Sequence, residues 1–72
     1  MIESVEVVLD VHKNTPGVYR IHSVTSYDNK GTEKDYPELT YNQDFFGDDS
    51  KKEIIEYVAK ELQVVWDIIE FV

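Results

Sequence analysis

Two segments with alternating apolar residues flank a proline-glycine pair near the start of the chain. Residues 2–12 and 17–27 are rich in β-branched and aromatic side chains, which favour extended strands. Pro16-Gly17 suits the central positions of a type II turn, because proline fixes φ and glycine accepts a positive φ. The pattern predicts an antiparallel hairpin. Its first strand has one apolar face formed by Val5, Val7, Leu9 and Val11.

The segment after the hairpin has weaker signals. Asp28 to Gly31 reads "DNKG", a turn sequence, and residues 32–46 contain Pro37 among a few apolar side chains. Proline is found in strands mainly at sheet edges or irregularities. Residues 32–46 are therefore expected to form a ragged third strand or a loop.

A helix is predicted to begin near residue 50. Ser50 and Glu53 have the spacing of a capping box, and apolar residues then recur every three or four positions. The pattern predicts a helix over about residues 50–70. Its core-facing stripe is expected to pack against the apolar face of the first strand and consists of Ile55, Val58, Leu62, Val65 and Ile69.

Together these elements predict an α+β fold in a single domain over residues 1–72. The expected architecture is a two- or three-stranded antiparallel β-meander followed by one long C-terminal α-helix packed on one sheet face. A chain of 72 residues without cysteine builds its core without disulfides or thiolate metal sites.

The last nine residues, "VVWDIIEFV", are unusually apolar for a charged chain. As the end of the helix, they carry more apolar surface than one small sheet can cover, which indicates self-association or a hydrophobic partner. As a strand, they alternate between two faces and need no partner. The side chains proposed for self-association or partner binding are Val64, Trp66, Ile68 and Phe71.

The charge limits the range of partners. Fifteen acidic residues against seven basic ones give a net charge of −8. Nucleic acid and anionic membrane surfaces repel such a chain, so direct binding to either is not expected. The expected partner is a protein with a basic surface, homodimerisation is a further alternative, and the expected location is the cytoplasm.

Acidic residues are densest between Asp28 and Asp49 and continue into the helix. Arrays of carboxylates can imitate the closely spaced phosphates of DNA and block a basic nucleic-acid-binding groove. The predicted function is a small, non-enzymatic, acidic protein-binding module, an inhibitor that mimics nucleic acid or an immunity protein. The alternative is a structural or adaptor subunit that self-associates through its apolar C-terminal helix. The candidate partner-binding acids are Asp28, Glu33, Asp35, Glu38, Asp44, Asp48, Asp49, Glu53 and Glu56.

Two short stretches, "ESVEVVLDV" and "FFGDDSKKEII", resemble parts of the small phage inhibitors of uracil-DNA glycosylase. Those inhibitors have a Glu-Ser-apolar start to a strand and one helix bounding a hydrophobic pocket. The resemblance implies that Glu3 and Ser4 contact the partner. The resemblance is confined to a few residues of these two stretches.

Enzymatic chemistry is not expected. His12 and His22, with Asp10 nearby, are the only histidines, and surface histidines of a hairpin are more often exposed polar residues than metal ligands or bases. Asp44, Asp48 and Asp49 do not fit the frame of a calcium-binding loop. The chain is therefore predicted to have no catalytic residues, no metal site and no cofactor.

Overall fold

The two alternating segments form the central strands of a sheet. In the computed structural model, which describes residues 1–11 and 14–72, β1 spans Ile2–Val11 and β2 spans Val18–Asp28. They pair antiparallel, with Val7 opposite Val24. Gly17 has a φ of 85°, and the Val18 amide donates to the Thr15 carbonyl at 3.3 Å, as expected for a type II turn.

Two short strands pair with the outer edge of β2. β3, Glu33–Asp35, lies beside its C-terminal half, and β4, Phe45–Phe46, lies beside its start. A 3₁₀ helix over Pro37–Leu39 lies between them in the chain and buries Leu39. The turn before β3 is held by Asp28, whose carboxylate accepts the amides of Lys30 and Thr32. These two bonds lower the pKa of Asp28.

The helix α1 spans Ser50–Leu62 and is followed by a fifth strand. A 3₁₀ helix over Trp66–Ile68 leads into β5, Ile69–Phe71, which pairs parallel with β1. The strand order is β3-β2-β1-β5, with β4 also paired to β2. Within the part of the chain that the structure describes, no helix is long and apolar enough to cross a membrane.

The predicted simple antiparallel meander with one long helix is therefore wrong. The sheet has five strands and is mixed, and α1 ends at Leu62 instead of continuing to about residue 70. Gln63 takes the left-handed conformation, and the amides of Gln63 and Val64 both donate to the Ala59 carbonyl. This terminates the helix.

The strain of a left-handed glutamine is offset by the pairing of β5. A non-glycine residue in this conformation costs roughly 1–2 kcal/mol. Leaving the helix lets β5 add backbone hydrogen bonds to β1 and places Ile69 in the core. The strand alternative for the apolar tail thus applies to residues 69–71 only.

The core lies between one sheet face and α1. Ile54 and Val58 of α1 are fully buried, whereas the predicted stripe residues Ile55 and Leu62 are only half-buried. Val65 is 64% exposed because it lies beyond the helix end, and Val11 is exposed at the end of β1. Ser26 and Tyr36 share a buried 3.0 Å hydrogen bond at the edge of this core. The core cluster consists of Val5, Val7, Ile21, Val24, Tyr36, Leu39, Phe45, Ile54, Val58 and Ile69.

The helix start also differs from a capping box. Asp49 occupies the N-cap, and Ser50 is buried within the first turn. The Glu53 amide donates to the Asp49 carbonyl at 2.9 Å, so the backbone of Asp49 begins the helix.

Candidate functional site: the acidic open face of the sheet

The sheet has one face that α1 does not cover, called here the open face. Side chains alternate between the two faces along each strand, so the strand register assigns them. Among the side chains that the register assigns to the open face, Val18, opposite Phe46 of β4, is buried, and the others are exposed or half-buried. The open face carries Ser4, Glu6, Val8, Asp10, Arg20, Ser23, Thr25, Tyr27, Glu33, Asp35 and Glu70.

Carboxylates form a row across the strands of the open face. Asp35 of β3, Thr25 of β2, Glu6 of β1 and Glu70 of β5 are successive register partners. Neighbouring strands lie about 4.8 Å apart, so the like charges of Glu6 and Glu70 are direct neighbours. Such pairs destabilise the free protein slightly, and a cation placed over them relieves the repulsion.

Two hydroxyl groups of β2 fix the orientation of these acids. The Tyr27 hydroxyl donates to Glu6 Oε1 at 2.8 Å, and the Thr25 hydroxyl donates to Asp35 Oδ1 at 2.9 Å. The hydrogen bond to Glu6 is the largest of several effects that raise the pKa of Tyr27 to about 12. Partial burial and the negative charges of Glu6 and Glu33 act in the same direction. Tyr27 therefore stays protonated as a donor at neutral pH.

The open face has a second acidic group near the hairpin end. Asp10 accepts a hydrogen bond from the Tyr41 hydroxyl at 3.3 Å, and Arg20 Nε donates to Asp44 Oδ1 at 2.6 Å. Arg20 and Asp44 form an ion pair, which raises the pKa of Arg20. The positive charge of Arg20 is therefore already paired with a carboxylate. Within residues 1–11 and 14–72, Arg20 is the one cation that the register assigns to this face.

The structure distributes the nine candidate acids over several surfaces. Glu33 and Asp35 lie on the open face, and Asp44 reaches it through Arg20. Asp28 is engaged by its own turn, and Glu38 lies in the first 3₁₀ helix. The remaining four lie in the turn before α1 or on α1: Asp48, Asp49, Glu53 and Glu56.

Sequence reasoning missed Glu6 and Asp10 as partner-binding candidates. The signal was present, because both occupy the polar positions of the alternating first strand. Glu70 falls at the end of the helix predicted over about residues 50–70, whereas β5 places it beside Glu6. Ser4 lies on the open face opposite Tyr27, and Glu3 is the exposed extra residue at a register shift.

The four side chains proposed for self-association do not form one helix face. Trp66 is 68% exposed, and Val64, Ile68 and Phe71 are half-buried. Phe71 packs against the core, with Lys51 Nζ 5.9 Å from its ring centre. Val64 and Trp66 instead line a groove of about 830 Å³ between α1 and the segment after it.

The histidines give no constellation for catalysis or metal binding in the described residues. His12 lies outside them. His22 is exposed and makes an edge-to-face contact with the Tyr41 ring at 5.9 Å. Across residues 1–11 and 14–72, no three His, Asp or Glu side chains are grouped so as to hold a metal ion.

Comparison of the chain with protein-family models, with curated proteins and with solved structures finds no match.

Proposed function

We propose that this chain is an acidic protein-binding module whose open face occupies the basic surface of a nucleic-acid-binding protein. The observation that carries the proposal is the placement of five carboxylates on one uncovered sheet face: Glu6, Asp10, Glu33, Asp35 and Glu70. Among the described residues, Arg20 is the one cation that the register assigns to this face, and it is paired with Asp44. The face therefore offers a net negative surface to a partner rich in lysine and arginine.

The spacing of the carboxylates suits this role. Same-face residues on one strand are about 6.6 Å apart, and neighbouring strands are about 4.8 Å apart. A protein groove that binds DNA meets phosphates of both strands at comparably close intervals and neutralises them with Lys and Arg. Carboxylates on a sheet can meet the same cations and exclude the nucleic acid.

The scaffold supports binding because the charges are preorganised. Glu6 lies on β1 and Asp35 on β3, both of which pair with β2, and Tyr27 and Thr25 of β2 hold their carboxylates. Less side-chain freedom is then lost on association. We infer that the chain acts in the cytoplasm without catalysing a reaction. It would be either an inhibitor of a nucleic-acid enzyme or an immunity protein, because both bind a basic surface through the same charge complementarity. An adaptor acting through the apolar end of a long helix has less support, because α1 ends at Leu62.

The test is capture of proteins from a lysate of the source organism on the immobilised chain. Nucleic-acid-binding proteins are expected on the wild type, and they should elute as salt is raised and be displaced by duplex DNA. The variant Glu33→Lys/Glu70→Lys should lose them. Both substituted residues are exposed, so the fold should be preserved.

A matched control is Glu53→Lys/Glu61→Lys, which changes the net charge by the same amount on α1. It should retain most of the captured proteins. Equal loss in both variants would show that only the net charge matters, and capture that is indifferent to salt and DNA would contradict mimicry.

A further inference from the structure

We propose that the chain forms a weak homodimer through the groove beside α1, with Trp66 of each copy inserted into the groove of the other. The groove has a volume of about 830 Å³ and is open to solvent along one side. One wall is formed by Ile55 and Ala59 of α1, and the other by Val64, Val65 and Trp66.

The groove and its occupant lie on the same patch. Trp66 lines the groove and is 68% exposed. Its neighbour Val65 also lines the groove and is 64% exposed. A two-fold interface requires one patch that is complementary to itself, because each copy presents the same residues to the other. Because Trp66 lines the groove and is also exposed, the same residues can serve both copies.

The groove lining also carries charges of both signs. Lys52 lies on the α1 side of the groove, and Asp67 lies on the opposite side, directly after Trp66. A two-fold axis through the groove can set Lys52 of one copy against Asp67 of the other, twice. Glu56 adds one acidic group to the same rim.

The exposed area sets the strength of the dimer. Aromatic side chains bury about 150–250 Å² each, so Trp66 at 68% exposure offers on the order of 100–170 Å². Stable interfaces bury about 800 Å² on each partner. The neighbouring exposed residues Met1 and Val65 extend the apolar patch but leave it small, so the dimer is expected to be weak and concentration-dependent.

The net charge predicts how salt acts. Two copies of net charge −8 repel one another at long range, and about 0.1 M salt screens such repulsion beyond about 10 Å. The two rim ion pairs are exposed, and such pairs contribute little. Added salt should therefore strengthen this dimer, whereas it weakens binding through the open face.

The experiment measures the mass of the whole chain by sedimentation equilibrium over a wide concentration range, at low and moderate salt. Trp66 is the only tryptophan, so its fluorescence should shift to shorter wavelength over the concentrations at which the mass rises. Trp66→Ala should weaken dimerisation about tenfold or more. Phe46→Ala is the matched control, because Phe46 is 63% exposed at β4, is absent from the groove lining, and should leave dimerisation unchanged.

The rim pairing is tested by charge exchange. Lys52→Glu should weaken the dimer more than Lys60→Glu, which makes the same change in net charge outside the groove lining. The double variant Lys52→Glu/Asp67→Lys restores the original net charge and both rim pairs, and it should recover dimerisation.

A wild-type chain that stays monomeric at every concentration and salt overturns the proposal. Unchanged dimerisation of Trp66→Ala, or no recovery in the double variant, overturns the two-fold arrangement.

Discussion

The helix face that enters the core can be tested with two neighbouring isoleucines. Ile54 is fully buried in the core cluster, whereas Ile55 is half-buried and lines the groove. Replacing each with alanine removes the same atoms from adjacent positions of α1. The gain in helix propensity is the same for both, so the difference in unfolding free energy reports burial alone.

The expected magnitudes follow from burial. Truncating a fully buried isoleucine to alanine costs about 2–5 kcal/mol, since it loses both transfer free energy and packing. At about 0.05–0.15 kcal/mol per residue, a chain of 72 residues has roughly 4–11 kcal/mol of stability. Ile54→Ala should therefore remove a large part of the total, and Ile55→Ala less than half as much.

The assay is urea unfolding followed by far-ultraviolet circular dichroism, with the free energy taken from the midpoint and slope. The midpoint for Ile54→Ala should fall well below that for Ile55→Ala, at a similar slope. Equal losses would contradict the difference in burial between the two residues, and a greater loss for Ile55→Ala would show that α1 presents the face predicted from the sequence spacing.

Three further predictions concern the helix end, the buried polar pair and Tyr27. Gln63→Gly should raise stability by up to about 1 kcal/mol in urea unfolding, because glycine accepts the left-handed conformation; inside a continuous helix the same change would lower it by about 1 kcal/mol. Tyr36→Phe leaves the buried Ser26 hydroxyl without its partner and should cost about 1–3 kcal/mol, and adding Ser26→Ala should cost less than the sum of the single changes. The folded-state pKa of Tyr27, about 12, lies above the unfolded value of about 10, so its contribution to stability is complete below about pH 10 and is lost as pH rises toward 12. In a spectrophotometric titration Glu6→Gln should lower that pKa, and an unchanged late-ionising phenol would contradict the hydrogen bond to Glu6.

The hairpin and the helix start could be predicted from local patterns, whereas the helix end could not. Alternation and the Pro16-Gly17 turn are properties of adjacent residues, and β1, β2 and the turn between them follow from those signals. The end of α1 depends on Gln63, which has no intrinsic preference for the left-handed conformation. That conformation is stabilised by pairing β5 with β1, more than 60 residues away in the chain, which no local pattern reports.

The candidate site could be predicted only in part, because a local pattern places residues on one face of a strand but does not report which strands are neighbours. Glu6 and Asp10 could be placed on the polar face of their strand by alternation alone. Which other acids share that face depends on strand order, and β3 and β5 are each only three residues long. The dense acidic region of the sequence is therefore a poor guide, because only part of it lies on the open face and the rest lies in turns and in the first 3₁₀ helix.

The two proposed surfaces belong to different sides of the molecule, and this has a consequence for binding. The groove lies beside α1, and the carboxylates lie on the sheet face that α1 does not cover, so a dimer formed through Trp66 keeps both open faces accessible. Two linked acidic faces engage an extended basic partner with greater avidity than one face. Moderate salt favours the dimer but weakens the binding of a basic partner to each open face. Avidity should therefore be greatest at intermediate ionic strength. Trp66→Ala should abolish that maximum and leave a binding curve that falls steadily with salt.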